Sequence, residues 1–189
     1  MTGMRFVPVL LAACTLLAHP ALAGETRSVS GFSKIDLMAP VDVEVRPGKF
    51  GMTLEMDPDV ARHLTTEVRD DTLRVSLDGH NLNFHGKQRI KVTMPDFRAL
   101  KIQGSGDADV AGFNSQDKVA LSIAGSGDVK FAGTAAGIAV TIEGSGDADI
   151  RVAGGALSLA VNGSGDIRWT GEASTVSAAT HGSGSIAKR

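Results

Sequence analysis

The sequence predicts an all-β protein built as a parallel β-solenoid, coil stacked on coil with about 19–21 residues in each. Three observations predict it. The tetrapeptide Gly-Ser-Gly-Asp recurs at Gly104, Gly125, Gly144 and Gly163, with a Gly-Ser-Gly-Ser variant at Gly182. The copies begin 21, 19, 19 and 19 residues apart, a fixed period of the kind that marks a repeat architecture. Glycine is abundant, at 23 residues, while Tyr is absent and Trp169 is the only tryptophan. That mix suits many tight turns joining small-residue strands rather than a bulky helical core.

Along the chain, residues 1–23 come first and stand outside the fold. They read MTGMRFVPVLLAACTLLAHPALA, with Arg5 as a positive start, an apolar run from Phe6 to Leu17, and Ala21-Leu22-Ala23 as a small-residue cleavage site before Gly24. This is an export signal, and its apolar run is short for a membrane span. Within it, Leu11-Ala12-Ala13-Cys14 also matches a lipobox, in which Cys14 would become the lipidated first residue. Cleavage after Ala23 gives a free periplasmic or secreted protein, and cleavage before Cys14 a membrane-anchored lipoprotein; neither leaves a transmembrane helix in the mature chain. Cys14 is the only cysteine, so the exported domain, residues 24–189, has neither a disulfide nor a thiolate metal site. A formal charge of −2 gives no general pull toward nucleic acid or anionic lipid.

Residues 29–100 alternate apolar and polar positions between turn signals and are expected to form longer opening coils. Val41, Val43 and Val45 alternate with Asp42, Glu44 and Arg46 before Pro47-Gly48. Met52, Leu54 and Met56 follow; then Leu73, Val75 and Leu77 after Asp70-Asp71; then Ile90, Val92 and Met94 before Pro95. Period-two alternation in short runs predicts strands with one buried face. Residues 57–64 are the one helical candidate, a turn or two with Pro58 near its start. Residues 78–88 read as an exposed loop.

Residues 101–189 are the repeats, and their columns align. Ile102, Ile123, Ile142, Val161 and Thr180 stand two before the first glycine. Leu121, Val140, Leu159 and Ala178 stand two earlier, and Val119, Ile138, Leu157 and Val176 two earlier again. Beyond the motif, Ala108, Val129, Ala148 and Ile167 form one column, and Val110, Phe131, Ile150 and Trp169 another. Each repeat therefore supplies one strand into the Gly-Ser-Gly turn and a shorter one out of it. The two extra residues of the first interval fall at 112–118, in a loop. Stacked at the inter-strand spacing of about 4.8 Å, equivalent apolar residues form interior ladders.

The glycines read as a solenoid corner, where backbone with φ > 0 and no Cβ is required, and stacked serines can bond along the ladder or to their own turn. A dinucleotide fingerprint would need a third glycine and a following helix, and the P-loop lysine is missing. Asp107, Asp128, Asp147 and Asp166 would form a column of like charges, about 5 Å apart. The outward column two residues on, Asp109, Lys130, Asp149 and Arg168, alternates in sign and should compensate itself. The first column is expected to be tolerated because each carboxylate accepts backbone N–H groups in its own turn. The second reading is a bound hard cation such as Ca²⁺ on those four aspartates, for which carboxylates are suitable ligands. The calcium repeats of β-rolls, though, use Gly-Gly-x-Gly-x-Asp at nine-residue period, and this chain differs in both spacing and order.

No catalytic constellation emerges. The carboxylates are repeat-related rather than a singular acid/base pair, and Trp169 falls in an inward column rather than on a sugar platform. His63, His80, His85 and His181 are scattered. His80 and His85 share a loop, but no cysteine or paired acid at a suitable spacing accompanies them. No serine lies in Gly-x-Ser-x-Gly.

The order of the pieces resembles a known family. FSKIDLMAPVDVEVRPG at 32–48, LTTEVRDDTLRVSL at 64–77, the step from Pro95 to Leu100 and the iterated GSGD are similar to the bacterial family putative auto-transporter adhesin, head GIN domain, over residues 29–181. The resemblance implies a right-handed β-helix in the cell envelope and brings no catalytic residues with it. The fifth copy runs out in Ser185-Ile186-Ala187-Lys188-Arg189 without a barrel, unlike a self-inserting autotransporter. The expected function is therefore a non-enzymatic, adhesin-like binding module, without a cofactor unless Ca²⁺ is one. The alternative is a structural or regulatory scaffold for another envelope protein, and a glycan-active enzyme is the third reading. Expected partners are an envelope protein or glycan, or a second copy through the terminal coil, whose edge is unpaired.

Overall fold

Alternating apolar columns, if stacked in register, must close a core between two sheets, and a computed structural model describing residues 24–79 and 86–189 has this arrangement. Residues 1–23, expected to be an export signal and containing Cys14, and both His80 and His85, lie outside the described residues. In chain order the opening elements are β1 (Glu25–Arg27), β2 (Lys34–Leu37), β3 (Asp42–Pro47), β4 (Gly51–Glu55), α1 (Pro58–Ala61), β5 (Leu64–Arg69), β6 (Thr72–Leu77) and β7 (Arg89–Met94). The repeats give β8 (Ala99–Gly104), β9 (Ala108–Asn114), β10 (Lys118–Gly125), β11 (Val129–Thr134), β12 (Gly137–Gly144) and β13 (Ala148–Ala153). They continue with β14 (Ala156–Gly163), β15 (Ile167–Glu172), β16 (Thr175–Gly182) and β17 (Ile186–Lys188).

Five successive coils, β8–β9 through β16–β17, each place one strand in an eight-stranded sheet and one in a nine-stranded sheet. The pairing between coils is parallel and follows the repeat columns: Ile102, Ile123, Ile142, Val161 and Thr180 are directly opposed in turn. So are Ala108, Val129, Ala148 and Ile167, and Val110, Phe131, Ile150 and Trp169. All of these except Thr180 are buried, Trp169 included. Burial of each Val, Leu or Ile side chain contributes about 1.5–3 kcal/mol, so this ladder is the main source of cohesion where no disulfide exists.

The opening half differs from a simple run of coils. The β2–β3 coil sits between β8–β9 on one side and β6–β7 on the other, all in parallel. The later β6–β7 coil is thus outermost, and antiparallel strands close that end: β5 on β6, β4 on β7 and β1 on β4. The turn between β5 and β6 explains how the chain reverses there. Asp70 and Asp71 both have positive φ, 50° and 62°, the geometry of a two-residue hairpin whose twist matches its strands. Helix α1 is the predicted short one: Asp57 caps it, accepting from the Asp59 N–H, Pro58 opens it, and Val60 and Ala61 are buried.

The two extra residues of the first repeat interval are also placed differently. Strand β9 runs on to Asn114, and its register against β11 shifts at Ala132/Gly133, so one extra residue is a bulge at Gly112 inside the strand. The other lies in the following corner.

Candidate binding face

The corner geometry accounts for both glycines of the motif. The first has φ between 126° and 147° in all five copies, backbone that side chains rarely adopt. The second is excluded from bearing a side chain by stacking: a Cβ on Gly127 would lie 2.1 Å from the Gly106 carbonyl oxygen, and one on Gly146 2.0 Å from that of Gly127. Coils approach this closely because the serine and second-glycine N–H groups both donate to the first-glycine carbonyl one coil earlier, as Ser126 and Gly127 do to Gly104 at 2.9 and 3.2 Å. The serine side chains point away. Ser105, Ser126, Ser145, Ser164 and Ser183 form an exposed row, and their hydroxyls have no protein hydrogen-bond partner among the described residues.

The structure brings Asp107, Asp128, Asp147 and Asp166 into one column, but their hydrogen bonds do not stay within their own turns. Asp128 N–H donates to Asp107 Oδ1 at 2.9 Å, Asp147 N–H to Asp128 Oδ1 at 2.8 Å, and Asp166 N–H to Asp147 Oδ1 at 2.8 Å. The column is longer at both ends than the motif suggests. Asp107 N–H leans on Asp42 Oδ1 at 3.4 Å, and Ser185 donates both N–H and Oγ–H to Asp166 Oδ1. Each carboxylate therefore faces an amide dipole of the next coil, and such charge-assisted bonds offset the repulsion along the column. One oxygen of each of the four aspartates is used this way. Among the described residues no group of three or more His, Cys, Asp or Glu side chains is placed to hold a metal ion.

The neighbouring column does not compensate itself as its alternating signs suggest. Arg168 turns out of it and forks onto the aspartate ladder, reaching Asp147 Oδ2 and Asp166 Oδ2 at 2.9 Å each. Asp109 is taken by Arg46 at 2.8 Å, which also reaches Glu44 at 3.2 Å. Lys130 and Asp149 make no ion pair among the described residues. The Ser185 hydroxyl and N–H, with a smaller contribution from Arg168, hold the Asp166 carboxyl below its ordinary value, and hydrogen bonding to Asp147 raises Arg168.

Beside the ladder, the outer face of the nine-stranded sheet carries a groove of about 500 Å³. Arg46, Lys130, Arg151, Arg168 and Arg189 line it against two carboxylates, Asp109 and Asp149, over a floor that includes Ala111 and Ala132. Reading the sequence for catalytic or metal-binding types missed this groove, although its cations recur at outward positions of aligned strands. Asp42 was likewise legible, because Asp42-Val43-x-Val45 aligns with Asp107-Ala108-x-Val110. The remaining histidines are not brought together: His63 follows α1 near β5, and His181 lies on β16, at the opposite edge of the same sheet.

Stacked parallel coils with glycine corners and a repeated polar ladder define a β-solenoid. The chain belongs to the family described as "Putative auto-transporter adhesin, head GIN domain", whose model matches residues 31–148 and 133–189. A solved putative adhesin from Bacteroides fragilis is similar at 22% identity and a TM-score of 0.58, covering 90% of this chain and 99% of its own. A putative adhesin from Parabacteroides distasonis is 15% identical with a TM-score of 0.44, covering 88% and 96%. A putative lipid binding protein from the same species is 20% identical with a TM-score of 0.37, covering 88% and 96%. Among curated proteins none matches the chain.

Proposed function

We propose that this protein is an exported, non-enzymatic binding module of the cell envelope, adhesin-like in role. The observation that carries this reading is the outer surface of the repeats. An exposed serine row, an aspartate ladder and a charged groove run side by side across coils whose inward columns are buried up to the terminal strand β16. Repetition at one coil step suits a ligand that is itself extended, and a rigid ladder meets it without an ordering cost. Membership of a family named for adhesins supports the same reading. No helix among the described residues is long and apolar enough to cross a membrane. Export by the signal in residues 1–23, or lipidation at Cys14, would put this surface outside the cytoplasm; mass spectrometry of the mature N-terminus distinguishes Gly24 from acylated Cys14. Retention of the purified protein on a glycan array or on whole cells is the expected result, and clean negatives on both would overturn the proposal.

A second reading, a scaffold for another envelope protein or for a second copy, rests on β16. All eight of its residues are exposed, it carries neither charge nor proline, and the inward-column Val176 is 46% exposed. Its companion edge strand β17 is blunted, since Lys188 stands in the inward column and covers the Trp169 ring at 4.8 Å. Strand addition on β16 would be seen as concentration-dependent mass in light scattering or as a protein retained in pull-down from envelope extracts. A monomer at all concentrations that retains nothing would remove it.

A further inference from the structure

We infer that the groove on the outer face of the nine-stranded sheet is a binding site for a single extended chain of acidic saccharide, with Lys130 and Arg151 as its principal contacts. The inference deepens the adhesin-like reading and rests on it. The chain as a whole is at −2, yet this groove gathers five cations and two carboxylates. Against that background a local positive groove is a site where anions concentrate, because low-dielectric walls focus the field.

Two of these cations are already engaged by carboxylates. Arg46 is bound to Asp109 and Glu44, and Arg168 to Asp147 and Asp166. Lys130 and Arg151 make no ion pair among the described residues, although carboxylates stand on adjacent coils. A guanidinium left open presents a planar fork that matches a carboxylate or sulfate in two parallel bonds. Asp109, paired with Arg46, opposes an incoming anion little, whereas Asp149 has no ion-pair partner among the described residues. An anionic group therefore settles toward Arg151 and Lys130 rather than over Asp149.

The column holding Arg46 and Arg151 has Ala111 and Ala132 on the two coils between them, and these two small residues open the channel. From the coil of Arg46 to that of Arg189 the groove crosses five inter-strand steps, about 24 Å at roughly 4.8 Å each. A channel of that length, running across successive coils, suits one extended chain, and a concave channel does not match a membrane plane. The missing aromatics narrow the ligand further. Phe131 and Trp169 are buried, so the groove offers no ring on which a neutral sugar or a nucleobase can stack. Recognition must come from charge.

The test uses the purified full-length protein with oligogalacturonate and heparin as acidic probes. Dextran serves as the neutral saccharide, single-stranded oligothymidylate as the nucleic acid and phosphatidylglycerol vesicles as the anionic surface. Calorimetry at low and physiological salt should show one or both acidic saccharides binding, weakened by salt, and dextran silent. The Lys130→Gln/Arg151→Gln variant should lose about tenfold or more in affinity with an unchanged melting temperature, since both side chains are on the surface. An Arg62→Gln/Arg69→Gln variant, altered at the capped end, should bind as the parent does. Equal affinity in the Lys130/Arg151 variant overturns the inference, as does tighter binding of the oligonucleotide or the vesicles. If that variant still adheres to cells or to the array as the parent does, the groove assignment fails while the adhesin-like reading stands. Silence of the parent on every surface removes both.

Discussion

Gly127, Gly146 and Gly165 carry no unusual φ, yet none could be alanine. Each would drive a Cβ to within about 2 Å of a carbonyl oxygen that belongs to the coil beneath. Gly146→Ala should therefore destabilise the protein by about 3 kcal/mol or more, because the obstacle is backbone and cannot swing aside. Ser145→Ala, between the same two glycines, should stay within about 0.5 kcal/mol; urea unfolding measures both, and equal effects would refute the stacking account. The acids give a pH prediction. Asp71 is held below the ordinary aspartate value mainly by the Ser33 hydroxyl, and Asp166 mainly by that of Ser185. A lowered folded value means stability that is fully present above the unfolded value, about 3.9, and lost as pH falls through the folded one. Melting temperature should hold from neutrality to about pH 5 and drop below about pH 4. A Ser33→Ala/Ser185→Ala variant should show a smaller acid drop, and an identical profile would contradict the assignment. That an acid belongs after Gly-Ser-Gly was legible in the sequence. Its hydrogen-bond partner was not, because the bond from the Asp147 N–H to the Asp128 carboxylate spans 19 residues and depends on coil register rather than on the turn.

At the scale of elements, the strands of the repeats were legible because period-two alternation and a fixed repeat constrain face and register together. Ile142 shows the consequence. It is fully buried between Ile123 and Val161 in the ladder. Ile142→Ala should cost about 2–5 kcal/mol, and a loss below about 1 kcal/mol in chemical denaturation would mean the column is not a packed interior. In the opening half the strands were equally visible but their placement was not. Val41–Val45 and Leu73–Val75 have the same alternating pattern, so nothing in either run says which coil lies outside the other. The answer lies in the Asp70-Asp71 hairpin and in the bonds from Ser33 and Lys34 N–H to the Asp71 carbonyl, both at 3.1 Å, which dock the later coil against the earlier one. The Gly112 bulge escaped for a related reason, since an inserted glycine reads alike in a strand and in a loop.

As a whole molecule the protein is a one-dimensional stack with unlike ends. Antiparallel strands and α1 cover one end; at the other, β16 is open and β17 is blunted by Lys188. In such a stack each coil touches only its neighbours, so cohesion is a sum of interfaces and a ladder is only as regular as its register. The groove and the corner ladder both inherit their spacing from that register, which makes it the central claim. Paired cysteines measure it most directly, in a Cys14→Ser background. Ser126→Cys with Ser145→Cys places thiols on adjacent coils, about 4.8 Å apart along the stack, within reach of a disulfide. Ser126→Cys with Ser164→Cys places them two coils apart, beyond it. Oxidation should close an intramolecular bond in the first variant and none in the second; a bond in neither, or in the second alone, would contradict the stacked arrangement.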